Sequence, residues 1–261
     1  MLVTERGLGD NIQFIRYAQV LQARGATVYV ACEKSLLSLM KTAVGVTDAF
    51  EKVPFDLNID FRCWMMSLPT LTRICHPEDA PKPPYFKIPE YFNRNILLNN
   101  SDGCLRVGLM TQGFSCQPYV ANGRSYVYSL EAQQKARRRD MPSDCTEILL
   151  GIDGIQYFRL TKEGVESELL DRMVNKEKQK TGYPGDFLDT AALILKLDLV
   201  ISVDTAVAHL AGALGVPTLL LSRYDACWRW RAPQSRTPYY PNTRVIYSNY
   251  KGGWLSLALG L

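Results

Sequence analysis

The chain has 261 residues, 47% of them hydrophobic, enough for one large packed domain or two small ones. Its 30 basic and 26 acidic residues leave a net charge of +4, a mild excess that tolerates an anionic ligand and gives no case for nucleic acid. Seven cysteines without a C-x-x-C pair, beside two histidines, argue against structural zinc and for reduced, cytosolic thiols. No apolar run reaches the roughly 18 residues of a membrane span, and the N-terminus lacks a signal-peptide layout.

In chain order, Leu2-Val3-Thr4 reads as the end of a strand, followed by a turn on Gly7 and Gly9. Ile12, Ile15, Tyr17, Ala18 and Leu21 recur at helical spacing, and Gly25 sits where a helix stops. Residues 27–32 (TVYVAC) are β-branched and aromatic, hence a strand; 35–43 form a helix and 55–61 a further strand. This β-α-β-α-β order predicts a doubly wound, mostly parallel sheet. A first strand of three or four residues is short for a sheet centre. Either the gene begins abruptly or the chain is part of a longer one.

From residue 75 the composition changes. HPEDAPKPPYFKIPEYF is proline-rich and extended, and NNSDG marks a turn at 99–103, so halves of 1–98 and 99–261 are expected. In the second half, 105–110 (LRVGLM) and 155–160 read as strands and 129–138 as a helix. That helix ends in KARRRD, read as a solvated helix end or as a phosphate or membrane-surface patch. Residues 164–181 are charged and read as surface. An amphipathic helix over 187–197 has Asp186 as its N-cap. Strand 199–203, a small-residue helix over 205–214 stopped by Gly215, and strand 217–221 follow.

Two motifs carry chemistry. Gly7-Leu8-Gly9-Asp10 is a glycine turn, but Ile12 replaces the third glycine of a dinucleotide fingerprint, and Glu33 is the sole acidic candidate at the second strand's end. A nicotinamide-dependent oxidoreductase is therefore disfavoured. From the residues alone, Asp10 reads as the cap of a helix starting at Asn11. Ser202-Val203-Asp204-Thr205-Ala206 joins a strand to a helix. Its backbone N–H groups and helix dipole suit a diphosphate, with Thr205 adding a hydroxyl and Ala206 allowing close approach. Asp204 would repel phosphate, so capping or orientation is its expected task. His209 reads as interior or as an orienting residue, and His76 as structural or surface. Tyr224, Trp228 and Trp230 either stack on a sugar or join the two halves.

The segments GLGDNIQFIRYAQVLQARGATVYVAC and DFLDTAALILKLDLVISVDTAVAHLAGALGVPTLLL resemble glycosyltransferase family 9, which includes the ADP-heptose:lipopolysaccharide heptosyltransferases. They are most like the family's domains found C-terminal to tetratricopeptide repeats. LRVGLMTQG with Arg124-Ser125, and WRWRAPQSRTPYYPNTRV, resemble further family segments. The resemblance implies an α/β GT-B fold, with two Rossmann-like doubly wound halves facing across a cleft, acceptor on the first and donor on the second. It implies a metal-independent, inverting transfer of a sugar from a nucleotide-diphosphate donor, ADP-heptose or similar, to an acceptor hydroxyl, with no cofactor. Asp10 stands where the family has its general base, supported by Gly7 and Gly9. Thr111, Gln112, Arg124, Lys162, Asp204, Thr205 and Ala206 fall on donor and phosphate positions, and Asp189, Thr190 and His209 behind them. The acceptor would be a glycan, a lipid-linked group or a protein, in the cytoplasm, with at most peripheral membrane contact and a possible repeat domain outside this chain. The rival reading is a degenerate module that keeps the fold and binds a nucleotide sugar, glycan or protein without catalysis.

Overall fold

The computed structural model describes residues 1–5, 7–94, 103–113, 119–121, 124–126, 129–160, 186–231, 236–248 and 253–254. The first half is a parallel sheet in the order β3-β2-β1-β4, built from β1 (Leu2–Val3), β2 (Tyr29–Ala31), β3 (Asp48–Phe50) and β4 (Cys63–Trp64). The short β1 is interior: Leu2 is in register with Val30 on one side and Cys63 on the other. α1 (Leu8–Phe14), a 3-10 turn (Ile15–Tyr17) and α2 (Ala18–Ala23) follow it, and the chain leaves on Gly25 at φ +89°. α3 (Lys34–Met40) links β2 to β3, and a 3-10 turn (Met65–Ser67) leads into α4 (Leu68–Thr72).

The strand expected over 55–61 is not there. That stretch is irregular, Phe55 and Phe61 stand in solvent, and strands flank it at β3 and β4. Phe55, Leu57, Ile59 and Phe61 alternate with polar residues as in a strand, but none of them is buried, whereas Ala49 of β3 is. The proline-rich stretch is a packed strap. Tyr85 N donates to Ala213 O, Val44 N to Tyr85 O and Lys87 N to Thr42 O. Beyond it lies α5 (Glu90–Arg94).

The second half is a five-stranded parallel sheet, β11-β10-β9-β5-β8. Its strands are β5 (Leu105–Met110), β8 (Ile155–Arg159), β9 (Leu199–Val203), β10 (Thr218–Ser222) and β11 (Thr243–Tyr247). Between β5 and β8 lie an antiparallel pair, β6 (Tyr119–Ala121) and β7 (Arg124–Tyr126), then α6 (Leu130–Arg137) and α7 (Ser143–Leu150). α8 (Phe187–Ile194) begins as expected, with Asp186 Oδ1 accepting from Leu188 N at 2.8 Å. α9 (Ala206–Leu214) ends on Gly215 at φ +76°. The edge strand β11 and helix α7 were not foreseen.

The halves share one apolar core. Ile12, Ile15, Leu36 and Leu39 of the first pack with Ala208, Leu210 and Ala211 of the second, where α1 lies against α9 and α3 against α8. A buried polar chain crosses the same seam. His209 Nδ1 meets the Tyr240 hydroxyl at 2.9 Å, Tyr240 is hydrogen-bonded to Tyr85, and Arg16 Nη2 donates to the Tyr85 hydroxyl at 3.1 Å. The Arg16 guanidinium also donates to the carbonyls of Gln13 and Tyr239 and lies over the rings of Tyr85 and Tyr240 at 4.7 and 5.0 Å. Carbonyl dipoles and aromatic faces thus solvate a cation that burial would otherwise penalise.

Candidate functional site

In open parallel sheets, ligands gather beyond the strand C-termini where the strand order reverses. The first sheet reverses between β1 and β4, the second between β5 and β9. The residues following these four strands are Thr4-Glu5, Met65-Met66, Thr111-Gln112 and Asp204-Thr205. The two sequence motifs therefore sit at the two switch points.

At the first, α1 starts at Leu8 with Gly7 as its N-cap, so Asp10 is the third residue of the helix rather than the cap of one starting at Asn11. Its carboxylate folds back over the helix start: a Cβ on Gly7 would lie 2.1 Å from Asp10 Oδ2. Asn11 pins the loop before it, accepting from Glu5 N at 2.9 Å and donating to Glu5 O at 2.7 Å. Gly9 has its own requirement, since a Cβ there would meet the His209 ring at 2.5 Å. The first glycine makes room for the carboxylate and the second for the other half.

Asp10 Oδ1 is paired with Arg229 Nη2 at 2.6 Å. Arg229 Nε donates to Gln13 Oε1 at 2.8 Å, and its guanidinium lies 4.3 Å from the centre of the Trp228 ring. Burial pushes the Asp10 carboxyl above its ordinary value, Arg229 opposes this, and the charges of Asp204 and Glu5 add to it. Asp204 accepts from Trp230 Nε1 at 2.7 Å, and its carbonyl accepts from Arg139 Nη1 at 3.4 Å. Trp230 is fully buried against His209, with ring centres 4.8 Å apart. Burial, with Arg229 and Arg16 nearby, pushes His209 down to about 3, so it is a neutral packing and orienting group at ordinary pH.

Asp10, Gly7, Gly9, Asp204 and His209 thus form one constellation across the seam. Thr205 caps α9 through its backbone only; its hydroxyl lies 3.2 Å from that of Ser202. The first turn of α9, from Ala206, is accordingly not capped by the Thr205 side chain and can face an anion. Thr111 is buried and its carbonyl accepts from Met141 N, so its side chain is not an open pocket wall; Gln112 is half-buried. Asp189 and Thr190 lie in the first turn of α8, which packs against α3 and α9. Arg124 opens β7, with its side chain outside the described residues, and Lys162 lies outside them altogether.

Arg229 and Arg139 were missed by sequence reasoning. Arg229 is the cation between two tryptophans in WRWR, and that alternation was its signal. Arg139 belongs to KARRRD, where at least this arginine turns toward Asp204. Of the aromatic group, Trp230 is buried within the second half against His209, Tyr240 and Asp204, while Trp228 and Tyr224 are exposed. Beside Asp10 opens a cleft of about 640 Å³ lined by Thr4, Glu5, Gly7, Asp10, Glu33, Trp64 and Met66. Among the described residues no helix is long and apolar enough to cross a membrane.

Residues 184–252 match the family model described as Glycosyltransferase family 9 (heptosyltransferase). The whole chain is similar in fold to Escherichia coli ADP-heptose LPS heptosyltransferase II, with TM-score 0.61 and 14% identity over 99% of this chain and 98% of that one. It is similar also to a glycosyltransferase family 9 protein from Veillonella parvula, with TM-score 0.62 and 12% identity over 100% and 97%. Among curated proteins it is 26% identical to Protein FlbA of Caulobacter vibrioides over 97% of this chain, which spans only 44% of that protein. The fold is GT-B, two parallel-sheet α/β halves as in the heptosyltransferases, and the family 9 likeness rests on the matched segment together with that fold.

Proposed function

We propose that the protein is a glycosyltransferase that moves a sugar from a nucleotide-diphosphate donor to an acceptor hydroxyl with inversion, without a metal or other cofactor. The observation that carries this reading is the Asp10 carboxylate, made more basic by burial and held at the seam between the two switch points. An acceptor hydroxyl is a weak nucleophile until its proton leaves. A carboxylate with a raised pKa accepts that proton as the new glycosidic bond forms. Inversion needs the base and the departing diphosphate on opposite faces of the sugar. Asp10 belongs to the first half and the helix terminus at Ala206 to the second, which suits that arrangement.

The N-terminal N–H groups of α9 would bind the diphosphate, with Arg124, Lys162 and Arg139 supplying cationic charge as it departs. Asp204, tied to Trp230, would set the loop rather than touch phosphate. The heptosyltransferase relatives make an ADP-linked sugar the first donor to try. The finer assignments, a cytoplasmic enzyme of the repeat-associated kind acting on a glycan, lipid-linked or protein acceptor, are parts of this proposal.

A second reading, a binding module without turnover, is favoured by one feature: the 2.6 Å pair with Arg229 already engages the proposed base. The experiment is thermal-shift binding of ADP, UDP, GDP and ADP-heptose to wild type and Arg124→Ala. Ligand bound to the native state raises Tm by mass action. A shift with one nucleotide that Arg124→Ala reduces supports the donor site; no shift at millimolar ligand defeats both readings as nucleotide-sugar proteins.

A further inference from the structure

The cleft beside Asp10 has a chemical character of its own. It opens at the switch point of the first sheet, so it abuts the proposed base while lying apart from the start of α9. Among the described residues lining it, every ionisable side chain is acidic: Glu5, Asp10 and Glu33. Arg229 neutralises one of these, Asp10. The other two are held in place. Glu5 Oε2 accepts from Met66 N at 2.8 Å, which fastens the β1 loop to the β4 loop, and Glu33 Oε2 accepts from the Ser35 hydroxyl at 3.2 Å.

The apolar part of the wall is Trp64 and Met66. Trp64 is 58% exposed at the C-terminal end of β4, although its neighbour Met65 is fully buried. An indole left open at a cleft wall, close to fixed carboxylates, has the makings of a sugar subsite. The ring stacks on the C–H face of a pyranose, and each carboxylate accepts from hydroxyl or ammonium groups. Among the described residues no cation is paired with Glu5 or Glu33, so a phosphate or carboxylate in the same place would be repelled by both.

The geometry points to an acceptor subsite for a non-anionic sugar, stacked on Trp64 and held by Glu5 and Glu33, with an amino sugar bound best. This rests on the glycosyltransferase reading and narrows its acceptor class. It sets this cleft against acceptors that present phosphate or acidic sugar at the reacting end.

The test is binding of glucosamine, N-acetylglucosamine and glucose 6-phosphate, followed by saturation-transfer NMR and tryptophan fluorescence. Wild type, Trp64→Ala and Glu33→Gln are compared, with ADP binding measured on each. Expected are millimolar binding in the order glucosamine, N-acetylglucosamine, glucose 6-phosphate; loss of at least tenfold in Trp64→Ala; and selective weakening of glucosamine in Glu33→Gln. ADP binding should be unchanged throughout. Preferred binding of glucose 6-phosphate would overturn the inference and would implicate Arg6, the basic residue between Glu5 and Gly7 in the sequence. So would the absence of binding by all three sugars in a protein that still binds ADP. Loss of ADP binding by wild type would instead count against the glycosyltransferase reading itself.

Discussion

Asp10 and Arg229 form an ion pair at 2.6 Å between residues 219 positions apart, one from each half of the molecule. The pair ties the proposed base to the second half, and both side chains are mostly buried. Arg229→Met should leave Asp10 without its cation, at a cost of about 2 kcal/mol in stability read by urea denaturation. A change within error would mean that the pair is solvated and idle.

The same pair sets a pH dependence. Burial raises the Asp10 pKa above its ordinary value, so the folded protein holds that proton to higher pH than the unfolded chain. Stability from this group is present at acid pH and is lost as pH rises through the folded pKa. Turnover runs the other way, because only the carboxylate can accept a proton. The acid limb of kcat/KM should therefore lie above the usual aspartate range, and Arg229→Met should move it to still higher pH. A limb that stays in place in Arg229→Met would remove Asp10 from the titration.

His209 gives the opposite sign. Its pKa falls to about 3 on burial, so the unfolded chain binds a proton that the folded protein refuses. Stability should be lost as pH falls from about 6.5 toward 3. His209→Gln, which can keep a hydrogen bond to Tyr240, should flatten the fall in unfolding free energy between pH 7 and pH 4.5. An unchanged slope would place the acid sensitivity elsewhere.

The two glycines of the first turn should separate chemistry from packing. Gly7→Ala collides with Asp10 Oδ2, the tip of a side chain that can swing away, so activity should suffer more than stability. Gly9→Ala meets the His209 ring, wedged against Trp230 and Tyr240, and should cost about 1–3 kcal/mol by overpacking the seam. Equal effects of both on Tm would contradict the distinction.

The alternation of apolar runs with helical periodicity made β5, β8, β9 and β10 of the second half readable, but not β6, β7 or β11. Asp186 and Gly215 marked helix ends because a capping carboxylate and a left-handed glycine act locally. The first half was harder. Its strands are two or three residues long, too short to leave a period, so the alternating apolar and polar run 55–61 stood in for β3 and β4, which flank it. The GLGD and SVDTA motifs fall at the switch points of the two sheets. Arg229 could not be placed, because its role depends on a contact with Asp10 that only the docking of the halves creates. The buried Arg16 was hidden for the same reason. Its partners Tyr85, Tyr239 and Tyr240 lie far along the chain, and nothing local separates it from a surface arginine.

Arg16→Met should accordingly show how much the seam matters. It removes donors from the Tyr239 carbonyl and the Tyr85 hydroxyl and strips the cation from its aromatic cage. A loss on the order of 3 kcal/mol is expected, measured by urea unfolding. A near-neutral result would mean that the apolar core alone docks the halves.

The most direct test of the central claim is release of ADP from ADP-heptose, with an acceptor glycan panel, by wild type and Asp10→Asn under conditions where both bind ADP. Wild type should turn over with an inverted product, and Asp10→Asn should lose about 10²- to 10⁴-fold with donor affinity retained. Equal turnover by the two proteins would show that Asp10 is not the base. Donor binding without turnover by wild type across the panel would establish the non-catalytic module instead.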